Sequence, residues 1–389
     1  MAQIKMETIQ GVIQVEKLII SCGGTGGHFM PGLSIARTFQ EQGGKVLLLL
    51  GGKNAPKQME TAEKFGICSV PFPASYPSGN PFRMLKFFWN TLTGRSKCKK
   101  AIAQFQPDAL LAMGSFASLS PVLAAKAKKI PVFLHDGNTK LGKANLFLSR
   151  YAKAIALSFP TPNAANAKCP AIQTGFPLRP ELIGKQLSKQ EAIAELNQLY
   201  KLDLSPEKPT VLVFGGSLGA ETINKKLIIE GNPEEARDLQ FMRLTGPGKL
   251  ESCKEIYDKQ NCKVAALESA GEMHLFYSAA DLVISRAGGS TVSEIAVFGK
   301  YALLLPYPFA AENHQEDNAK WLASAGGAEI LHDSDANETD FTKWILNWKK
   351  NQDQFRINGE RSKTIARPDA SRQVLNMIKN ITNLPNKEK

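Results

Sequence analysis

The feature that most constrains this chain is a glycine-rich stretch at residues 17–31, where an apolar run leads into four glycines and a histidine. The run from Leu18 to Ile20 predicts a short buried strand, and Pro31 is predicted to open an amphipathic helix. Glycines at such a turn let the backbone approach a ligand, and the first N–H groups of the helix favour phosphate. His28 lies where the loop becomes the helix. The stretch therefore predicts a ligand site at the carboxyl end of a parallel strand.

The stretch does not match the G-x-G-x-x-G turn of dinucleotide-binding proteins. Counted from Gly24, the third glycine of that motif falls on Phe29, and the next predicted strand, 46–50, ends in Gly51-Gly52 rather than in an acid. No G-x-x-x-x-G-K-[S/T] loop occurs in the sequence. A nicotinamide or flavin enzyme is therefore disfavoured.

Length and charge limit the class of protein. A chain of 389 residues predicts two domains or a little more. The net charge of +12 favours an anionic partner, which charge alone leaves open among nucleic acid, an anionic membrane surface and a phosphorylated substrate. The scattered cysteines form no C-x-x-C pair, so neither a zinc site nor a disulfide framework is predicted. Without a signal-peptide pattern or a membrane-length apolar run, we expect a cytoplasmic protein.

Short apolar runs alternate with stretches of helical period, such as 32–42 and 120–129, through the first half of the chain. Such alternation predicts an α/β protein with a parallel sheet, whose ligands bind at the carboxyl ends of the strands. A proline-rich segment, 159–180, is predicted to link this half to the next. The predicted strands of the first half are 18–22, 46–50, 67–71, 109–113, 131–135 and 154–158.

Residues 81–92 interrupt the alternation with seven large apolar side chains, and several basic residues follow up to Lys100. One interpretation is a core helix with a solvated basic end. Another is an interfacial patch, in which aromatic side chains dip toward acyl chains and cations meet anionic head groups. Aromatic and basic residues together also suit single-stranded nucleic acid.

The second half repeats the opening design. After a helical stretch at 188–200, the predicted strand 210–214 leads into the loop Gly215–Ala220 and a helix through Asn224. A further strand, 281–285, leads into a third glycine-rich turn. Two such halves predict two similar α/β domains with a cleft between them.

The third turn carries a candidate binding carboxylate. Ser290 or Thr291 is predicted to cap a helix that bears Glu294, which either complements the helix dipole or accepts both hydroxyls of a ribose. Past the predicted strand 303–306, His314 and Gln315 lie where a sugar or phosphate would sit. The acidic run at 333–335 is interpreted as a solvated loop rather than a metal site.

Taken together, these loops resemble the MurG glycosyltransferase family, which transfers N-acetylglucosamine (GlcNAc) from UDP-GlcNAc to lipid I to make lipid II. The resemblance runs from about residue 17 to about 330. It implies a GT-B fold, two Rossmann-like domains with parallel sheets and an interdomain cleft. The matching stretches are Gly23–His28 with Pro31, His135–Asn138, Gly215–Ala220, Arg286–Glu294, and His314-Gln315 with Asn318-Ala319.

The resemblance also implies that the two domains bind different substrates. Residues 1–175 would form the acceptor and membrane-associating domain, and 176–389 the UDP-GlcNAc-binding domain, with a last helix at about 371–383 packing back on the first. Glu294 would hold the ribose hydroxyls, Ser217 the diphosphate, and His28 would be the general base. The residues assigned to UDP-GlcNAc are Thr25, Gly26, Gly27, Asn138, Arg179, Ser217, Gly288, Glu294, His314 and Gln315. Those assigned to the acceptor and membrane side are Ser115, Ser118, Phe87, Phe88 and Trp89.

The implied reaction is an inverting transfer to the C4 hydroxyl of N-acetylmuramic acid (MurNAc), without a cofactor or protein-bound metal, although a divalent ion would be free to assist the substrate. The expected partners are UDP-GlcNAc, undecaprenyl-linked lipid I and other cell-wall enzymes. The protein would also bind the anionic inner face of the cytoplasmic membrane as a peripheral protein. Nucleic acid is not an expected partner. The chain departs from the family pattern at Ser115, Asp136, Phe176 and Leu218.

Alternatives remain at this point. A UDP-GlcNAc 2-epimerase of the same fold would share the nucleotide loops but has no use for the segment at 81–100. A transferase with another glycolipid acceptor would share the donor motifs. A nucleic-acid-binding protein would explain the charge, but it leaves the glycine loops without a purpose and would bind in a salt-dependent way.

Overall fold

The computed structural model describes residues 15–24, 26–77, 79–184, 186–217, 219–231, 233–310 and 313–383. Two parallel β-sheets form its framework. The first has seven strands in the order β3-β2-β1-β4-β5-β6-β7. These strands are β1 Lys17–Gly23, β2 Lys45–Gly51, β3 Cys68–Phe72, β4 Ala109–Ala112, β5 Val132–Asp136, β6 Ala154–Leu157 and β7 Ala171–Gln173. The helices of this half are α1 Gly26–Glu41, α2 Ala55–Glu63, α3 Pro81–Phe105, α4 Leu119–Ala127 and α5 Lys143–Leu148.

The second sheet has six strands in the order β10-β9-β8-β11-β12-β13. They are β8 Thr210–Phe214, β9 Gln240–Leu244, β10 Lys263–Leu267, β11 Leu282–Ser285, β12 Tyr301–Leu304 and β13 Ala328–Ile330. The helices around it are α6 Pro180–Ile183, α7 Lys189–Tyr200, α8 Glu221–Lys226, α9 Glu251–Asp258, α10 Met273–Ala279, α11 Gly289–Phe298, α12 His314–Ser324, α13 Glu338–Lys350 and α14 Gln352–Arg361. The last helix is α15 Ala370–Asn383.

Each sheet is buried on both faces, because helices cover both sides of it. Separate apolar clusters lie above and below the first sheet and above and below the second. Strands in this position need apolar side chains in succession rather than in alternation, and β4 and β12 are buried along their whole length. The predicted architecture of two parallel α/β sheets is confirmed.

Strand order places a switch point in each sheet. Chain connections run outward in one direction from β1 and in the other from β4, and the same reversal occurs between β8 and β11. A crevice opens at the carboxyl ends of the strands at such a point, and ligands of open parallel sheets bind there. The three glycine-rich loops follow β1, β8 and β11, so the fold collects them at these two crevices.

The chain passes between the two halves twice, before α6 and before α15. The passages meet at Gly175, whose φ of +92° favours glycine and where an added Cβ would lie 2.5 Å from the Cβ of Arg367. After the second passage, α15 packs its apolar face, including Val374 and Ile378, with Phe29 and Leu33 of α1. The final helix thus belongs to the core of the first half. We keep residue 175 as our proposed domain boundary.

The predicted strands lie within a residue or two of the observed ones, including 303–306, which is observed as Tyr301–Leu304, but two other details were wrong. The first helix begins at Gly26 and contains Pro31 in its interior. Gly23 and Gly24, at φ of +134° and +79°, already complete the turn from β1, so the helix needs no proline to start. The segment predicted as linker contains the edge strand β7.

No helix in the described part of the chain has both the length and the apolar composition needed to cross a membrane.

Candidate active site

His28 lies at the switch point of the first sheet, in the first turn of α1. Its Nδ1 is 3.0 Å from the main-chain oxygen of Met113, which follows β4. A carbonyl oxygen only accepts hydrogen bonds, so Nδ1 carries the proton and Nε2 of the neutral ring carries a lone pair. Burial lowers the pKa of His28 and the charge of His314 lowers it further, while the bond to Met113 raises it. The imidazole is therefore neutral at physiological pH, as a base must be.

His135 and Asp136 end β5 beside His28, and both are buried. His135 Nε2 lies 3.1 Å from Ser158 Oγ, and burial lowers the pKa of His135 to about 3. Asp136 accepts hydrogen bonds from the main-chain N–H of Gly142 at 3.0 Å and from Asn145 Nδ2 at 2.9 Å. These bonds hold the turn after β5 in shape. His135 is a core residue whose ring is satisfied by its contact with Ser158.

Asn138 stands half-buried in this turn. Its main-chain N–H donates to Asp136 Oδ1 at 3.2 Å. The side-chain amide is therefore the part of Asn138 that can bind a ligand. Thr25, which the resemblance assigns to the same site, lies outside the described residues. Gly26 and Gly27 are exposed in the first turn of α1.

The loop after β4 carries Ser115 and Ser118 close to His28. A Cβ added to Gly114 would lie 3.6 Å from Cε1 of His28. Ser115 has a φ of +69°, an unfavourable conformation for a residue with a side chain, and its Oγ accepts from the N–H of Ala117. Ser118 is buried and donates to the oxygen of Gly114 at 2.6 Å. Ser115 is the more accessible of the two hydroxyls.

Helix α3 carries the candidate membrane residues, but they do not share one face. Phe88 and Trp89 are exposed to 57% and 67%, whereas Phe87 is buried and packs edge-on against Phe116, with ring centroids 6.3 Å apart. Phe87 thus joins the helix to the loop of Ser115 instead of facing solvent. The outward apolar residues, which we call the α3 patch, are Phe82, Leu85, Phe88, Trp89 and Leu92.

The loop after β8 has room only for glycine at two positions. A Cβ on Gly215 would lie 2.1 Å from the nitrogen of Ala220, and one on Gly219, with a φ of +66°, would lie 2.0 Å from the oxygen of Thr245. Ser217 is exposed at the tip of this tight loop. Leu218, a departure from the family pattern, lies outside the described residues.

Glu294 lies at the second switch point, on α11, and only 7% of its surface is exposed. Tyr277 donates to its Oε2 at 2.9 Å and Ser290 to its Oε1 at 2.6 Å. Burial raises the pKa of Glu294, while the charge of Arg179 and the two hydrogen bonds act in the opposite direction. The predicted cap by Ser290 or Thr291 was wrong, because Gly288 is the N-cap and frees the hydroxyl of Ser290 for Glu294.

Arg179 is half-buried between the passage from the first half and the crevice of the second sheet. Its Nη1 donates to the oxygen of Gly271 at 3.0 Å, and its charge acts on both Glu294 and Tyr277. The crevice thus holds a cation beside its buried carboxylate. This arrangement suits a polar, anionic ligand.

The acidic run at 333–335 is a turn in which Ser334 and Asp335 are exposed, as expected of a solvated loop, but Asp333 is half-buried. Asp333 forms an ion pair with the buried Arg286 and accepts from Thr222 Oγ1 at 2.9 Å. Arg286 also donates to the main-chain oxygen of Leu305 at 3.1 Å, so the pair ties together the ends of β11 and β12. No group of three or more His, Cys, Asp and Glu residues suited to a metal ion occurs among the described residues.

His314 and Gln315 begin α12, the helix that follows β12 in the chain. Gln315 Oε1 accepts a hydrogen bond from the main-chain N–H of Tyr307 at 3.0 Å. This bond fixes the orientation of the Gln315 side-chain amide. The charge of His314 acts on both His28 and Asp136. His314 therefore lies near enough to these two residues to influence their pKa values.

Two contacts join the halves at this point. Asn318 Oδ1 accepts from the N–H of Thr139 at 3.2 Å and from its Oγ1 at 3.1 Å, and Asn318 Nδ2 donates to the oxygen of Ala287 at 3.1 Å. Gly289 lies so close that an added Cβ would be 2.2 Å from the oxygen of Gly137. The two crevices therefore open into one cleft.

Several residues of the site escaped the sequence analysis. Tyr277 has no sequence signal, since an aromatic residue in a short apolar helix is usually a core residue. Met113 contributes a main-chain oxygen, which no side-chain pattern reveals. Thr139 follows the predicted His135–Asn138 stretch and was one residue beyond it.

Comparisons with known proteins agree over most of the chain. The glycosyltransferase family 28 N-terminal domain matches residues 18–157, and the family 28 C-terminal domain matches residues 210–374. A protein of Desulforamulus reducens named UDP-N-acetylglucosamine–N-acetylmuramyl-(pentapeptide) pyrophosphoryl-undecaprenol N-acetylglucosamine transferase is 32% identical over 384 residues, 94% of this chain and 98% of its own length.

Solved structures extend the likeness to the fold. The crystal structure of Acinetobacter baumannii MurG has a TM-score of 0.71 at 26% identity, covering 94% of this chain and 99% of that one. A UDP-GlcNAc 2-epimerase from Neisseria meningitidis, bound to UDP-GlcNAc, has a TM-score of 0.64 at 13% identity, over 93% and 99% of the two chains, and shares the fold alone. The GT-B fold and the family resemblance are thus confirmed. The chain belongs to glycosyltransferase family 28 and, within it, to the MurG family.

Proposed function

We propose that this chain transfers GlcNAc from UDP-GlcNAc to the C4 hydroxyl of MurNAc in undecaprenyl-linked lipid I, giving lipid II with inversion at the anomeric carbon. The observation that carries the proposal is the pair of crevices that meet at the Thr139–Asn318 contact. One crevice presents a neutral imidazole and the other a buried carboxylate beside a cation. A base and a nucleotide site facing one another are what a sugar transfer requires.

The donor would occupy the crevice of the second sheet. Glu294 would accept the ribose hydroxyls, and the N–H groups of the Gly215–Ala220 loop with Ser217 would bind the diphosphate. Arg179 would lie at the nucleotide edge and Gly288 against the donor at the start of α11. His314 and Gln315 would contact the GlcNAc hydroxyls from α12, opposite Asn138, with Thr25, Gly26 and Gly27 completing the site.

His28 would act as the general base. The lone pair of Nε2 would take the proton of the C4 hydroxyl as its oxygen forms a bond to the anomeric carbon. The bond from that carbon to the β-phosphate oxygen breaks, and its electron pair leaves with UDP. The N–H groups of the loop after β8 would stabilise the charge that develops on UDP.

The acceptor would reach the cleft from the side of α3. The α3 patch would enter the membrane interface, and the nearby basic residues would meet anionic head groups at the inner face of the cytoplasmic membrane. Ser115 would meet the acceptor diphosphate, and Phe87 would brace its loop through Phe116. Peripheral attachment of this kind needs no membrane-spanning helix.

The test is transfer of radiolabelled GlcNAc from UDP-GlcNAc to a lipid I analogue, with an acceptor-free control. Label on the lipid together with release of UDP is the expected result. Sugar isomerisation without an acceptor would instead indicate a UDP-GlcNAc 2-epimerase. Transfer to other glycolipids but not to the analogue would contradict the proposed acceptor.

A further inference from the structure

The carboxylate of Glu294 is held by two hydroxyl donors, one on each oxygen. Tyr277 donates to Oε2 at 2.9 Å and Ser290 to Oε1 at 2.6 Å. Each carboxylate oxygen has a second lone-pair direction, so each can accept one more hydrogen bond. A carboxylate fixed in this way presents two acceptors side by side, the arrangement that a ribose 2′,3′-diol needs.

Tyr277 is fully buried, and its ring is fixed independently of its hydroxyl. The ring stacks on Phe298 with centroids 5.1 Å apart and meets Phe214 edge-on at 6.2 Å. Phe214 is the last residue of β8, immediately before the Gly215 loop. A phenylalanine would make the same apolar contacts, so packing does not account for the hydroxyl, whose burial costs free energy unless it has a partner.

We propose that Tyr277 is a positioning residue for binding of the nucleoside diphosphate: its hydroxyl holds the Glu294 side chain in bidentate orientation toward the ribose diol. The inference rests on the proposed function and deepens it, because it assigns recognition of ribose, as opposed to deoxyribose, to a Tyr277–Glu294–Ser290 unit. Tyr277 acts through Glu294 and does not itself touch the nucleotide.

The charge balance around Glu294 makes the role measurable. Burial raises the pKa of the carboxyl, and three groups oppose that effect: the charge of Arg179 and the hydrogen bonds from Ser290 and Tyr277. Removing the phenol hydroxyl removes one of the three. The pKa of Glu294 then rises, and a protonated carboxyl loses acceptor capacity, so nucleotide affinity should fall away at a higher pH in the variant than in the native protein.

The experiment compares binding of UDP and 2′-deoxyuridine diphosphate by calorimetry across a pH series, in the native chain and in Tyr277→Phe. We expect the substitution to weaken UDP binding roughly tenfold, as for a lost hydrogen bond to a charged group. Binding of the deoxynucleotide should weaken less. The pH below which UDP affinity is lost should be higher in the variant than in the native chain. Tyr301→Phe is the matched control, since Tyr301 donates to Glu329 at 2.8 Å at another place in the same half.

A double-variant cycle separates positioning from packing. If Tyr277 acts through Glu294, Tyr277→Phe should cost no further affinity in a Glu294→Gln background. The inference would be overturned if Tyr277→Phe changed neither the ratio of UDP affinity to deoxynucleotide affinity nor the pH profile of UDP binding. Additive losses of affinity in the cycle would also overturn it. In either case, UDP binding by the native chain would leave the proposed function standing. Failure of the native chain to bind UDP would overturn both.

Discussion

The Nδ1 atom of His28 donates to the main-chain oxygen of Met113 across the switch point of the first sheet, over a distance of 3.0 Å. The bond selects the tautomer, because it leaves the lone pair on Nε2. It also fixes the ring, since the oxygen belongs to the backbone directly after β4. In the proposed role of general base, this imidazole would accept the proton without any rearrangement of its ring.

Replacement of His28 by alanine should therefore affect the chemical step far more than donor binding. Loss of a general base typically lowers turnover about 10²- to 10⁴-fold. We expect a decrease of kcat in that range for His28→Ala in the radiolabel transfer assay, with the dissociation constant of UDP-GlcNAc measured separately by calorimetry. Equal losses in the two quantities would contradict the role of base and assign His28 to substrate binding.

Exposed aromatic residues of the α3 patch should govern attachment to lipid. Phe88 and Trp89 are more than half exposed, so their replacement by serine removes apolar surface without opening the core. We expect Phe88→Ser with Trp89→Ser to reduce sedimentation with vesicles that contain anionic lipid, and added salt to reduce it further. An unchanged bound fraction would remove the patch from the membrane-binding surface.

The matched control for the patch is its buried neighbour. Phe87 packs inward on Phe116, so Phe87→Ala should lower the free energy of unfolding by about 3–5 kcal/mol, the usual cost of truncating a buried phenylalanine. Urea unfolding measures this loss. Vesicle binding by folded Phe87→Ala should stay close to that of the native chain.

The parts of the fold that depend on local patterns could be predicted from the sequence. Buried parallel strands are continuous apolar runs, and the turn at Gly23 and Gly24 requires glycine, so both leave a signature within a few residues. The same is true of the Gly215 loop. These local signatures were sufficient to identify the family, since its motifs are themselves strand-to-helix turns.

Contacts between distant segments could not be predicted in the same way. Gly175 has a positive φ and lies too close to Arg367 for any side chain, and nothing in the sequence near either residue indicates the other. Phe87 and Phe88 are adjacent and chemically identical, yet only tertiary packing decides that one faces the core. Tyr277 acquires its partner from a different helix. Such roles depend on three-dimensional neighbours.

Acid should destabilise the protein through His135. Burial lowers the pKa of His135 from 6.5 to about 3, so between these values the unfolded chain binds a proton that the folded chain does not. Stability from this group is complete above pH 6.5 and falls as the pH decreases, by about 1.4 kcal/mol per pH unit. Relative to His135→Gln, which cannot titrate, the native chain should lose about 2 kcal/mol between pH 7 and pH 5 in urea unfolding. Parallel pH profiles would contradict a neutral buried imidazole.

Gly289 should be irreplaceable because it brings the two halves together. An added Cβ would lie 2.2 Å from the oxygen of Gly137, so Gly289→Ala must push the turn after β5 away from α11 and weaken the adjacent Thr139–Asn318 hydrogen bonds. Such overpacking typically costs about 1–3 kcal/mol, which corresponds to a melting temperature roughly 4–8 °C lower for a loss near the middle of that range. Gly271→Ala is the matched control, because its Cβ would meet nothing within 4 Å, and its melting temperature should stay native. Equal melting temperatures for the two variants would show that the turn yields without cost and that the halves do not depend on this contact.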